Sequence, residues 1–253
     1  MASSSQVRRS RREQLETQRL AQFKKERRIR ITIVVVGLVI LFTVIAVFVY
    51  GYLSSRDDQA AQTGGTVPPG ANSGHNGMML APETKGVPTL EIWSDYNCTA
   101  CKSAHMTLNA TLEQAVTDGK ANVVLHQKSG NWASSWNANL GAACADIQGK
   151  FTDYNHQLYL NQPSDESGFT DTMLRETIPD AIGLYRDDLT TFQTCFDTKA
   201  AGQFVDAQQT AALKANITST PTFVLDGKNI TSTLYNQKTG LFDPDLLRTA
   251  LGM

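Results

Sequence analysis

An α/β domain carried behind one transmembrane helix is the fold class this sequence predicts, and three observations predict it. An uncharged run of Ile, Val, Leu and Phe fills residues 31–53, long enough to cross a bilayer core of about 30 Å as a helix. Beyond it, short apolar runs alternate with helical periodicities in the order strand, helix, strand, a long helical block, two strands and a last helix. The first of those strands leads directly into Cys98-Thr99-Ala100-Cys101, two thiols one turn apart where a helix begins.

The 253 residues carry a formal net charge of −1, which conceals a strong asymmetry. Arg8, Arg9, Arg11, Arg12, Arg19, Lys24, Lys25, Arg27, Arg28 and Arg30 crowd residues 1–30. A nucleic-acid-binding arm would interleave aromatic residues with such charges, and none are interleaved here, so no nucleic-acid partner is expected. A basic segment before an apolar span is the pattern of a cytoplasmic tail, and Tyr50 and Tyr52 suit the outer interface. A cleaved signal peptide would have an apolar region of about 7–15 residues and a small-residue cleavage site after it. The expectation is therefore a signal-anchor in the plasma membrane, N-terminus in the cytoplasm and the rest outside. Residues 54–83 contain Gly64-Gly65, Pro68-Pro69-Gly70 and Asn72-Ser73-Gly74 without periodicity, and read as a flexible linker to a domain spanning 84–253.

Within that domain the run at 89–93 reads as a strand and 98–116 as a helix, with Met106, Ala110 and Leu112 among its apolar positions. Val123, Val124 and Leu125 mark 122–127 as a buried central strand. An all-helical insertion at about 134–215 follows. Leu140, Ala143, Cys144 and Ile147 fall at helical spacing before Gly149, a C-terminal stop. Phe151, Tyr154 and Leu158 repeat the spacing, as do Leu189, Phe192 and Cys195 or Phe196. Strands at 222–225 and 228–231 flank Asp226-Gly227, a hairpin turn signal. Asp243 and Pro244 start the last helix, whose apolar face is assigned to Leu246, Leu247 and Leu251.

All four cysteines follow the span, and an even number outside the membrane fits an oxidising compartment. At a helix N-terminus the Cys98 thiolate is stabilised by free backbone N–H groups and the helix dipole, which suits the pair to passing disulfides to other thiols. Cys144 and Cys195, both on apolar helix faces, are assigned to a structural disulfide; two reduced, buried thiols are the alternative. Glu91 and Asp95 flank the pair and are candidates to shuttle a proton to Cys101. His105, four residues after Cys101 on the same helix face, is a candidate for tuning the thiolates. The rival from a different class is a metal-binding CxxC module built on Cys98, Cys101, His105 and a fourth ligand. A structural zinc site would normally show a second CxxC or a paired histidine, so no metal is expected.

A resemblance sharpens this. Together with the CxxC stretch, Thr218-Ser219-Thr220-Pro221-Thr222, Ala142-Ala143-Cys144-Ala145-Asp146 and Phe192-Gln193-Thr194-Cys195-Phe196-Asp197 make residues 82–253 similar to the DsbA-like thiol–disulfide oxidoreductases of the thioredoxin superfamily. The subgroup it resembles is the membrane-anchored, Gram-positive "thioredoxin_4" type. The resemblance implies a thioredoxin fold with a large inserted all-helical domain. It implies a redox-active disulfide and no other cofactor, with Pro221 as the cis-proline facing it and Thr220 offering its backbone to substrate. The implied activity is introducing disulfides into reduced, unfolded exported proteins, with reoxidation by a membrane partner of the DsbB or vitamin-K-epoxide-reductase type. A monomer is expected, since isomerases of this superfamily usually carry a dimerisation domain; reductase or isomerase activity on the same fold is the alternative. Thr99 stands where the family usually has proline, so the family's redox poise is not carried over.

Overall fold

A computed structural model of the chain describes residues 65–129, 133–164 and 167–253. The basic tail expected at 1–30 and the membrane helix expected at 31–53 lie outside the described residues. Among the described residues no helix is long and apolar enough to cross a membrane.

A five-stranded sheet organises the domain. β2 (Thr89–Ser94) lies at its centre, parallel to β3 (Asn122–Gln127) and antiparallel to β4 (Thr222–Leu225). β5 (Lys228–Asn229) extends the sheet beyond β4, and β1 (Met78–Met79) pairs antiparallel with β3 at the other edge. The order is thus β1-β3-β2-β4-β5. Every residue of β3 is buried, as a short unbroken apolar run implies. At the β4–β5 turn Asp226 and Gly227 both have positive φ, the geometry for which Asp-Gly is suited.

The link from β2 to β3 is α1 (Thr99–Thr117), which buries Cys101, Ala104, Leu108, Thr111, Leu112 and Ala115 at helical spacing. Met106 and Ala110, counted among its apolar positions from sequence, lie on the exposed outer face. The helical insertion then runs through α2 (Ala133–Asp146), α3 (Phe151–Leu160) and a π-helical turn, Met173–Thr177, continued by α4 (Ile178–Ala181). It ends with α5 (Asp187–Asp197) and α6 (Gly202–Lys214). Leu140, Tyr154, Leu158 and Phe192 are fully buried between these helices. Gly149 adopts a left-handed φ of 66° after α2, as a helix stop requires. α2 and α3 approach closely at Gly141, where a Cβ would collide with the Tyr154 hydroxyl that donates to Leu174 O. Cys144 and Cys195 form a disulfide that fastens α2 to α5.

Three expectations need correction. The linker expected to reach residue 83 is packed structure well before that point: Met78 is 1% exposed, β1 pairs with β3, and Gly70 N–H donates to Asp146 Oδ2 at 2.6 Å. Pro68-Pro69-Gly70 and Asn72-Ser73-Gly74 make tight turns, closed by Ala71 N–H to Pro68 O at 3.0 Å and His75 N–H to Asn72 O at 2.9 Å. The strand expected at 228–231 stops at Asn229. Asn229 Oδ1 accepts the Thr231 N–H and Thr231 Oγ1 accepts the Phe223 N–H, so side chains replace the ladder and a 3₁₀ turn, Thr231–Leu234, follows. A small hairpin of β6 (Tyr235–Asn236) and β7 (Leu241–Phe242), absent from the sequence reading, then leads to α7 (Pro244–Leu251). Asp243 caps α7 by accepting the Asp245 N–H at 2.9 Å, and Leu247 and Leu251 are buried. Leu246 is 37% exposed and does not belong to the inner face.

Candidate active site

β2 alternates its side chains between two faces, and that alternation sorts the candidate residues. Ile92 and Ser94 line a cavity with Cys101, Ala104 and Leu108 of α1. Glu91 and Trp93 therefore face the opposite side, where Trp93 stacks on His126 at 3.9 Å and Glu91 Oε1 lies 3.2 Å from His126 Nε2. His126 holds the Glu91 carboxyl below its ordinary range through that hydrogen bond. Glu91 is thus not a neighbour of Cys101, which corrects its candidacy as the proton shuttle.

After Ser94 the chain turns tightly: Asn97 N–H donates to Asp95 Oδ1 at 2.9 Å and Cys98 N–H to Asp95 O at 3.0 Å. Cys98 becomes the N-cap of α1, with extended backbone (φ −82°, ψ 118°), and its Sγ accepts the Cys101 N–H at 3.3 Å. Sulfur occupies the position a serine or aspartate oxygen usually takes at a helix start. No acidic residue in the first turn competes for the positive helix end.

The two thiols are driven apart in acidity. Cys98 is pulled down to about 6, first by the Cys101 S–H donating to it, with the backbone N–H groups of Cys101 and Ala100 adding and partial burial opposing. Cys101, 1% exposed, is pushed up, first by burial and then by its role as donor to Cys98. The proton rests on the buried sulfur and the charge on the half-buried one. Across from them the Thr220–Pro221 peptide bond is cis, and Thr220 O lies 3.4 Å from Cys98 Sγ. Cys98, Cys101, Thr220 and Pro221, distant by more than a hundred residues in sequence, form one site.

Residues 77–241 match the model of the Thioredoxin_4 family, described as thioredoxin. The chain belongs to this family. No curated protein matches it. Among solved structures it is similar in fold to MdbA from Actinomyces oris, a thiol-disulfide oxidoreductase, at TM-score 0.59 and 17% identity over 74% of this chain and 92% of that one. BdbD from Bacillus subtilis, in its oxidised form, gives TM-score 0.59 and 19% identity over 72% and 95%. MdbA from Corynebacterium diphtheriae, also a thiol-disulfide oxidoreductase, gives 0.54 and 15% over 68% and 92%.

Several residues that shape this Thioredoxin_4 site carry no local sequence signal. Gln162, in an aperiodic stretch after α3, donates to Tyr96 O at 2.5 Å and Cys98 O at 3.0 Å, clamping the cysteine loop to the helical insertion. Asn97 Nδ2 bonds Ser134 Oγ and Ser135 Oγ of α2. Asp95, 2% exposed, accepts from Ser135 Oγ at 2.6 Å, and burial raises its pKa. Its Oδ1 ties the loop to α2, and its Oδ2 is buried without a hydrogen-bond partner among the described residues. His105 turns to His156 of α3, with Nε2 3.0 Å from Nδ1, and stacks on Tyr159 with ring centres 4.5 Å apart. Burial first, then the His156 charge, takes His105 down to about 4, so its ring is neutral at neutral pH. Among the described residues no three His, Cys, Asp or Glu side chains cluster as metal ligands. Cys144 and Cys195 stand apart, within the insertion.

Proposed function

We propose that this chain is an extracytoplasmic thiol–disulfide oxidoreductase, held at the plasma membrane by residues 31–53, that introduces disulfides into reduced, unfolded exported proteins. The observation that carries the reading is the split pair: a thiolate-prone Cys98 at the cap of α1 beside a protonated, buried Cys101, with the Thr220 carbonyl alongside. A charged Cys98 is a good leaving group, so its disulfide is readily reduced.

In the cycle, a substrate thiolate attacks Cys98 Sγ of the oxidised pair. The new substrate–Cys98 bond forms as the Cys98–Cys101 bond breaks, and Cys101 leaves with the electron pair and takes up a proton. A second substrate thiolate then attacks the substrate sulfur and expels Cys98 as thiolate, leaving an oxidised substrate and a reduced enzyme. The Thr220 backbone pairs with an extended substrate segment at Cys98, a role supported by its carbonyl lying 3.4 Å from Cys98 Sγ. A membrane partner of the DsbB or vitamin-K-epoxide-reductase type restores the disulfide, and the enzyme acts as a monomer.

Activity and side are tested together by giving protoplasts that express the chain a reduced, membrane-impermeant dithiol peptide. Intact protoplasts with the wild type should oxidise it, and those with Cys98→Ala should not. Oxidation only after lysis would place the domain on the wrong side; none in either case would refute the activity.

A further inference from the structure

We infer that the proton exchanged by Cys101 passes through a one-water cavity to the His105–His156 pair, so that these two histidines are the proton relay of the reaction. The inference rests on the thiol–disulfide exchange proposed above.

The chemistry requires such a path. When the Cys98–Cys101 bond breaks, the electron pair goes to a sulfur that is 1% exposed, where a bare thiolate is poorly solvated and must gain a proton. On reoxidation, when the Cys98 thiolate attacks the disulfide of a reoxidant, Cys101 must lose that proton before it can attack Cys98. Of the nearby carboxylates, Glu91 is on the other face of the sheet. Asp95 Oδ1 is held by Ser135 and Asn97, and its Oδ2, buried without a hydrogen-bond partner among the described residues, is the rival acceptor that the test below separates.

A small cavity with polar groups at one wall adjoins Cys101. It offers about 30 Å³ to a water-sized sphere; Ser94, Gln127, Asn155, His105 and Tyr159 line it beside Cys101, and aliphatic side chains with Phe223 close the rest. A single water needs roughly 10–15 Å³ of such space and two to four polar partners. Gln127, 2% exposed, presents an Oε1 that has no hydrogen-bond partner among the described residues, an acceptor that a water in this cavity satisfies. The water bridges the thiol to the neighbouring ring of His105.

From His105 the path continues outward. An Nε2···Nδ1 separation of 3.0 Å means one ring nitrogen carries the hydrogen and the other the lone pair, so a proton arriving at one ring is passed on by the other. His156 lines a surface cleft with Asn109 and Glu113 of α1 and Asp153 of α3, where solvent restores or removes the proton. Stacking on Tyr159 holds the inner ring in place. Because these histidines act on sulfur only through water, they are positioning residues for proton transfer rather than catalytic residues.

The test is single-turnover reduction of the oxidised, full-length chain by dithiothreitol at neutral pH, comparing wild type with His105→Ala and Asp95→Asn. General acid–base assistance contributes about 10²–10⁴-fold, and a relay that bulk water partly replaces should show at least about a tenfold loss in His105→Ala. Added imidazole, which fits the space vacated by the ring, should restore the rate, while the Cys98 thiolate absorbance titrates as in wild type. An unchanged rate in His105→Ala would overturn the relay. So would a slow variant that imidazole does not rescue and whose Cys98 titration has moved, since that marks a structural role. Slowing confined to Asp95→Asn would assign the proton to the carboxylate instead. A wild type that fails to exchange at all would defeat the underlying activity, a result distinct from each of these.

Discussion

Cys98 carries the charge of the pair because Cys101 keeps the proton, and the sign of the pH dependence follows from that. A thiol lowered from 9.0 to about 6 in the folded, reduced protein contributes stability that is full above its unfolded value and is lost as pH falls through about 6. Alkylation of Cys98 should therefore rise with a midpoint near 6. Removing the largest cause, the Cys101 S–H, should move that midpoint upward, so Cys101→Ala should alkylate more slowly near neutrality. An unchanged midpoint in Cys101→Ala would mean the helix end alone sets the acidity. At this scale the sequence was informative where chemistry is local: a CxxC at a strand–helix junction fixes its own environment. It was uninformative where partners come from afar, as with His156, which meets His105 across 51 residues, or Gln162, whose stretch has no periodicity. Glu91 misled because adjacency in sequence along a strand means opposite faces in space.

The elements were legible wherever one periodicity ran uninterrupted, as in α1, β3 and α7. They were obscured where side chains took over backbone hydrogen bonds, as Thr231 and Asn229 do in ending β5. The Cys144–Cys195 bridge belongs to this scale, since it ties α2 to α5 across a separation of 51 residues. Constraining the unfolded chain over a loop of that length is worth about 3–4 kcal/mol. Cys144→Ser should lower the unfolding free energy by about that amount and leave exchange at Cys98 intact in the folded fraction. Urea unfolding of wild type and variant, each with and without reductant, checks this. Equal stability in all four conditions would indicate that the bridge contributes nothing.

For the whole molecule, the order strand–helix–strand, helices, strand–strand–helix carried the α/β class and the family resemblance carried the thioredoxin-like fold, which the sheet order β1-β3-β2-β4-β5 bears out. The N-terminal edge was hidden. A two-residue strand flanked by Gly and Pro has no periodicity, so Met78–Met79 and the turns before it read as linker, although the family match itself begins at residue 77. What the assembled fold achieves is to bring the Thr220 carbonyl, from the far end of the chain, to 3.4 Å from Cys98 Sγ while burying Cys101 behind it. Cys98 alone is the sulfur that exchanges with a partner, and Cys101 is the one that leaves it on reduction and attacks it when a disulfide is taken up. Trapping tests it most directly: each single-cysteine variant is incubated with substrate disulfides and resolved without reductant. Cys101→Ala should accumulate mixed disulfides through Cys98 that do not resolve, and Cys98→Ala should form none. Mixed disulfides through Cys101 in the Cys98→Ala variant, or none in either, would contradict it.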